Sequence, residues 1–358
     1  MRVFSVTCLL ALTVLPCAAG WNPRLAAEYL DSRQKSWFEW KPAKAAGGPC
    51  ISCHTGATYL LARPALRRIL GEDQPTPYET GLLAGLRSRV AATQGKEILP
   101  AFSKEPLASQ AVGVESVFAA LFLTLNRAGT ELDPGAVAAL DRMWMLQARE
   151  GPEAGAWPWF SLNLDPYEMP DSTGFGAALA SLAVGAAPPE YRNRADVRER
   201  VAALDGYLAR AAESQPLHNR LFVLWASAGR PEAMAPSVRR SIADEVLRKQ
   251  NADGGWTMQS LGPWKEHPDA PAASGSDAYA TALATFALST AGISRSNPRF
   301  ARAVKWLEGH QDPHTGSWSA SSMNKRYPAG SMPEAFMRDA ATAFAVLALA
   351  ADEIHERL

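Results

Sequence analysis

Cysteine is scarce in this 358-residue chain, with four in all, and charge of either sign is not in excess: 36 Lys and Arg face 36 Asp and Glu. That balance leaves no electrostatic footprint for nucleic acid. The lack of any sustained basic or acidic run excludes a polybasic membrane anchor and a solvating tail. Alternating β-branched runs are nearly absent, so strands are not expected. Beyond the first twenty residues no stretch reads as long and apolar enough to span a bilayer, so the protein is not expected to be transmembrane. A composition of 47% hydrophobic and 20% charged residues is neither that of a disordered chain nor that of a polytopic membrane protein. The length suits a large globular domain with a substantial core.

What is present begins with a leader. Arg2 supplies a positive start, residues 3–15 form a short apolar run, and Pro16-Cys17-Ala18-Ala19-Gly20 offers small residues for cleavage before Trp21. This order is that of a secretory signal peptide over 1–20, followed by one exported domain over 21–358, periplasmic or secreted. Lipidation at Cys17 is the alternative.

Export removes Cys8 and Cys17 and leaves Cys50 and Cys53, in Pro49-Cys50-Ile51-Ser52-Cys53-His54. In C-x-x-C-H, two thiols three positions apart can add to the two vinyl groups of one porphyrin, and the adjacent histidine can offer a ring nitrogen to its iron. The motif resembles the haem-attachment site of the cytochromes c. It implies one covalent haem c, with Cys50 and Cys53 as attachment points and His54 as the metal ligand. A redox disulfide lacks a surrounding thioredoxin-like βαβ pattern, and a zinc site lacks a second cysteine pair.

Repeats set the architecture. Gln250-Asn251-Ala252-Asp253-Gly254-Gly255-Trp256 follows one helical pattern and precedes a polar loop, Asp277 and an Ala-rich helix. Gln311 to Trp318, leading to Asp339, repeats this layout, and Gln147 to Trp157, leading to Asp171, does so more loosely. Helix pairs at 25–40 with 56–70, at 82–92 with 112–128, and at 204–211 with 217–228 bring the total to six hairpins, with Pro64 expected to break or restart its helix. The Ala-rich helices, apolar on most sides, should form an inner ring, and the charged ones an outer ring. The fold expected is an all-α (α/α)6 toroid.

The Q-x-x-x-G-x-W units resemble the repeats of squalene–hopene and oxidosqualene cyclases, and protein prenyltransferases share the same toroid. The resemblance implies that the Gln and Trp residues tie outer helices to their neighbours. It does not imply cyclase activity, because the Asp-x-Asp-Asp motif of those enzymes is missing. A lone Asp before an apolar helix, as at Asp171, Asp277 and Asp339, reads first as a helix N-cap.

Cys50 to His54 falls where the other repeats carry that Asp, so the haem should sit at one mouth of the ring. Ring closure would bring the sixth repeat beside it, with Met332 or Met337 as the second axial ligand and Lys325 and Arg326 near the propionates. His218, His267, His310 and His314 are alternative ligands, the last two flanking a turn and expected at the surface. The function that follows is redox chemistry with a periplasmic electron-transfer partner or an apolar small molecule, with Trp159, Phe160, Met169, Trp264 and Phe336 as cavity-lining candidates. The alternative is a haem-free toroid that binds or cleaves a glycan, or binds a lipid. Glu115, Asp165, Glu168, Asp171, Asp277 and Asp339 would then supply acids, and Trp157 and Trp159 stacking platforms.

Overall fold

The computed structural model describes residues 20–91, 100–127, 129–272 and 274–351. The segment expected to be a leader, including Cys17, lies outside the described residues except for Gly20. Thirteen helices occur among the described residues: α1 (Pro23–Glu39), α2 (Gly56–Leu70), α3 (Pro77–Ala91), α4 (Leu107–Leu125), α5 (Pro134–Met145), α6 (Thr173–Ala186), the single turn α7 (Pro189–Arg192), α8 (Ala195–Ser214), α9 (Leu217–Gly229), α10 (Pro236–Arg248), α11 (Ala278–Thr290), α12 (Pro298–Gly309) and α13 (Phe336–Leu349). The strand content described is one antiparallel pair, β1 (Lys44–Ala45) and β2 (Gly48–Pro49).

The apolar helices build the inner ring. Consecutive contacts run α4 to α6, α9, α11, α13 and back to α2, while α2 and α4 are bridged by α3. Nearly every residue of α11 from Ala278 to Ser289 is buried, as an inner helix with neighbours on all sides requires. The outer helices sit in the grooves between inner ones: α1 touches α13 and α2, α8 touches α6 and α9, and α12 touches α11 and α13. The all-α toroid of six hairpins is therefore the fold observed.

Two expectations need correction. Pro64 does not break its helix, for α2 runs continuously from Gly56 to Leu70 with Pro64 inside it. The carbonyl of Leu60 loses its helical partner, and both residues line an open cavity, where a carbonyl can be solvated. Secondly, α4 is long and apolar enough to cross a membrane, but 78% of its most apolar stretch is buried inside the ring. It is a core helix by that measure.

The Gln–Gly–Trp units act alike at three joints. Gln147 Nε2 donates to the carbonyls of Gly155 and, at 3.0 Å, Arg200; Gln250 Nε2 donates to Gly254 and, at 2.7 Å, Arg299. Gln311 Nε2 donates to Gly316 and, at 2.9 Å, Asn22. Each Gln thus joins its turn to the start of the next outer helix, and the third joint closes the ring onto α1. Each Trp indole N–H donates back to its own outer helix, Trp157 to Met143, Trp256 to Val246 and Trp318 to Leu307.

Candidate functional site

The C-x-x-C-H segment lies at the N-terminal end of α2, at the mouth formed by the starts of the inner helices. Its conformation is fixed locally. Ser52 Oγ accepts from the amides of Thr55 and Gly56, at 2.9 and 3.1 Å, and so caps the free N–H groups that open α2. Trp37 Nε1 donates to the Cys50 carbonyl at 2.8 Å, and Gln34 Nε2 to the Thr55 carbonyl at 2.8 Å. Helix α1 therefore holds the segment from outside.

Cys50 and Cys53 are free thiols. Burial pushes the Cys50 thiol up to about 12, with the Glu115 carboxylate adding to the rise. Burial, then Glu168, raises that of Cys53. His54 stacks on Phe336, ring centroids 5.2 Å apart at 17°, and meets Tyr167 edge-on at 4.9 Å. Burial lowers its pKa to about 4, so the imidazole is neutral at physiological pH. Its ring makes no hydrogen bond among the described residues.

The sixth hairpin does arrive at this place. Met332 is buried and packs in one cluster with Trp37, Trp40, Phe336 and Cys50. Met337, one turn on, is buried in the main core. Trp37, Trp40 and Phe336 are mutually in ring contact, with centroids 5.3 to 6.3 Å apart, and form an aromatic wall beside Cys50. Lys325 lies over the Tyr327 ring at 5.0 Å, and the Arg326 amide donates to Asp269.

The alternative histidines separate clearly. His218 is fully buried with both ring nitrogens engaged, by Asn219 at 2.9 Å and Tyr279 at 2.7 Å, so it has no nitrogen left for a metal. His310 stacks on Trp306 at the surface, and His314 is exposed. His267 pairs with Asp165 at 3.5 Å. That pair belongs to a roof over the mouth, where loops of the third, fifth and sixth hairpins meet. Asp165 and Asn324 exchange two hydrogen bonds of 2.9 Å.

The candidate acids divide in the same way. Glu115 is buried in an ion pair with Arg89. Asp277 is the N-cap of α11, accepting from Ala280 at 3.0 Å. Asp339 is not a cap: it lies within the first turn of α13 and binds Arg33, Tyr29 and Thr55. Asp171 is not one either, since Ser172 occupies the cap position of α6. Glu168 has no side-chain hydrogen bond among the described residues, and burial lifts its pKa to about 7. Burial also raises those of Asp165 and Asp171.

Trp157 and Trp159 cannot serve as stacking platforms. They are 1% and 3% exposed, and their indole N–H groups are spent on the carbonyls of Met143 and Tyr167. Sequence reasoning missed Ser52, Arg33 and Asn324. Ser52, three and four residues before the amides it caps, carried a readable signal in its spacing; the other two act only through long-range contacts.

The cap at Asp277 carries a testable cost. Burial raises its pKa to about 6, above its unfolded value. The stability that its protonated form supplies is present below about pH 4 and is lost as pH rises through 6. Asparagine caps as well without the charge. Asp277→Asn should match the wild type in urea denaturation below pH 4 and exceed it by about 2 kcal/mol above pH 7.

Residues 221–354 match the family model of the squalene–hopene cyclase C-terminal domain. No curated protein sequence matches the chain. Among solved structures, a polysaccharide lyase superposes with a TM-score of 0.57 at 14% identity, covering 94% of this chain and 99% of the lyase. A glycosidase variant in complex with glucose superposes with a TM-score of 0.44 at 12% identity, over 93% of this chain and 98% of that one. The chain is thus an all-α toroid whose C-terminal part, from α9 to the end of α13, is similar to the C-terminal domain of squalene–hopene cyclases.

Proposed function

We propose that this toroid carries one haem c at the mouth, attached through Cys50 and Cys53 and ligated by His54, and that it is an exported redox protein. The observation that carries the reading is that C-x-x-C-H, with a neutral imidazole that stacks on Phe336 and makes no ring hydrogen bond among the described residues, lies beside the aromatic cluster of Trp37, Phe336 and the thioether of Met332. The donor set fits the group.

When bound, the haem would supply one-electron chemistry at its iron. The chain's own residues would do the rest. Burial keeps His54 unprotonated and therefore able to ligate, while Trp37, Trp40 and Phe336 exclude water and hold a low dielectric around the ring. The roof at Asp165, Asn324 and His267 would limit entry at this mouth to small molecules or to electrons from a periplasmic partner protein.

The test is a pyridine haemochrome assay on protein exported into a periplasm that has the cytochrome c maturation system. One covalent haem per chain is expected, and none in Cys50→Ala/Cys53→Ala. A folded, colourless wild type overturns the reading.

A second reading is a glycan-active or glycan-binding toroid. The likeness to a polysaccharide lyase over almost the whole chain supports it, and does not speak for haem. With Glu115, Asp277 and Asp339 committed to structure, the acids left to it are Glu168 and Asp171, near Asp165. A carboxyl poised near 7, as Glu168 is, suits general acid–base work. On this reading Glu168→Gln should lower turnover of a polysaccharide substrate about 100-fold or more.

A further inference from the structure

The far end of the ring is open. The C-terminal halves of the inner helices surround a cavity of about 1350 Å³, at the end of α2 opposite to Cys50 and His54. Ordinary small-molecule sites run to roughly 300–1,000 Å³, so this one has room for a long molecule. Its deep wall is apolar, formed by Leu60, Leu182, Trp225, Phe286 and Leu347.

Two observations at the rim narrow the ligand. Leu125, at the end of α4, is 37% exposed, and only it and Met145 are exposed among the large described hydrophobics. It lies on the cavity wall. Two residues on, Arg127 also lines the cavity. One of its terminal nitrogens donates to the Thr124 carbonyl at 2.9 Å, but its Nε is buried without an acceptor among the described residues. A buried guanidinium N–H lacking an acceptor is costly, and a ligand oxygen placed there would remove that cost.

An apolar wall reached past the exposed Leu125, beside a guanidinium whose Nε–H lacks an acceptor among the described residues, matches a molecule with an alkyl chain and an anionic head. We propose that this cavity is a binding site for a single-chain anionic amphiphile, its chain along Leu182, Trp225 and Phe286 and its carboxylate or phosphate on Arg127. The site is separate from the mouth proposed for haem and does not depend on it.

Calorimetric titration of the purified protein with palmitate, lysophosphatidate and hexadecanol tests this. At least one of the two anionic probes should bind saturably and ten times or more tighter than hexadecanol, and the tighter of them identifies the head group. Arg127→Gln should remove that preference while hexadecanol binding stays the same. Leu125→Glu, a change at an exposed position, should weaken anion binding tenfold or more. Cys50→Ala/Cys53→Ala should bind as the wild type does, which keeps this result distinct from the haem assay. No saturable binding, equal binding of alcohol and acid, or an unchanged preference in Arg127→Gln would overturn the proposal.

Discussion

Asp339→Ala should cost about 3–5 kcal/mol of folding stability, read from urea denaturation at neutral pH. Asp339 is 1% exposed and accepts from Tyr29 Oη and Arg33 Nε, each at 2.8 Å, and from Thr55 Oγ1 at 2.7 Å. Tyr29 and Arg33 lie on α1 and Thr55 just before α2, so one carboxylate on α13 holds the first hairpin to the last. Burial pushes its pKa up, and Arg33 opposes that rise. The alanine variant leaves Arg33 largely buried without its counter-charge, which is why the loss should exceed that of an ordinary hydrogen bond. A loss under 1 kcal/mol would mean that packing alone closes the ring.

Gly254→Ala should be nearly as damaging, at about 3 kcal/mol, from backbone strain and a steric clash together. Gly254 has φ +99°, and a Cβ there would stand 2.8 Å from the carbonyl oxygen of Arg302, on the next outer helix. The equivalents Gly155 and Gly316 likewise abut the backbones of Ala203 and Leu25. The glycine of each unit is therefore fixed by the close approach of the neighbouring helix as well as by its turn. Gly292 separates the two causes: its φ is +85°, with nothing within 4 Å of a Cβ. Gly292→Ala should cost only the strain, about 1 kcal/mol. Similar losses in the two variants would mean that the neighbouring helix moves aside.

Much of this was legible in the sequence because it rests on local rules. Hydrophobic periodicity marked the helices, Ala-rich segments marked the inner ring, and the Gln and Trp spacing marked the joints. The position of C-x-x-C-H before an inner helix followed from the repeat layout. Where the reading erred, long-range packing decided. By sequence Trp157 and Trp159 suit stacking on a sugar, but the core takes them in and satisfies their N–H groups. Asp171, Asp277 and Asp339 look alike in sequence, yet one is a cap, one an ion-pair hub, and one neither, because each meets different neighbours. The bridging of Asp165 and Asn324 joins residues 159 positions apart, beyond the reach of any local signal. The cavity around Arg127 arises from six helix ends at once.

Closure onto α1 also changes how the molecule comes apart. A row of hairpins has two end units, each with one neighbour, and these fray at less than the full cost of unfolding. In a closed hoop the first and last hairpins are held as interior ones are, by the same Gln joint and by a buried carboxylate. The seam that differs is between α2 and α4, where α3 stands in between and the ties include two ion pairs, Arg67 with Glu79 and Arg89 with Glu115. Under mechanical or chemical load the hoop should part at this charged seam, and α2, with Cys50 to His54 at its head, would be the first inner helix released.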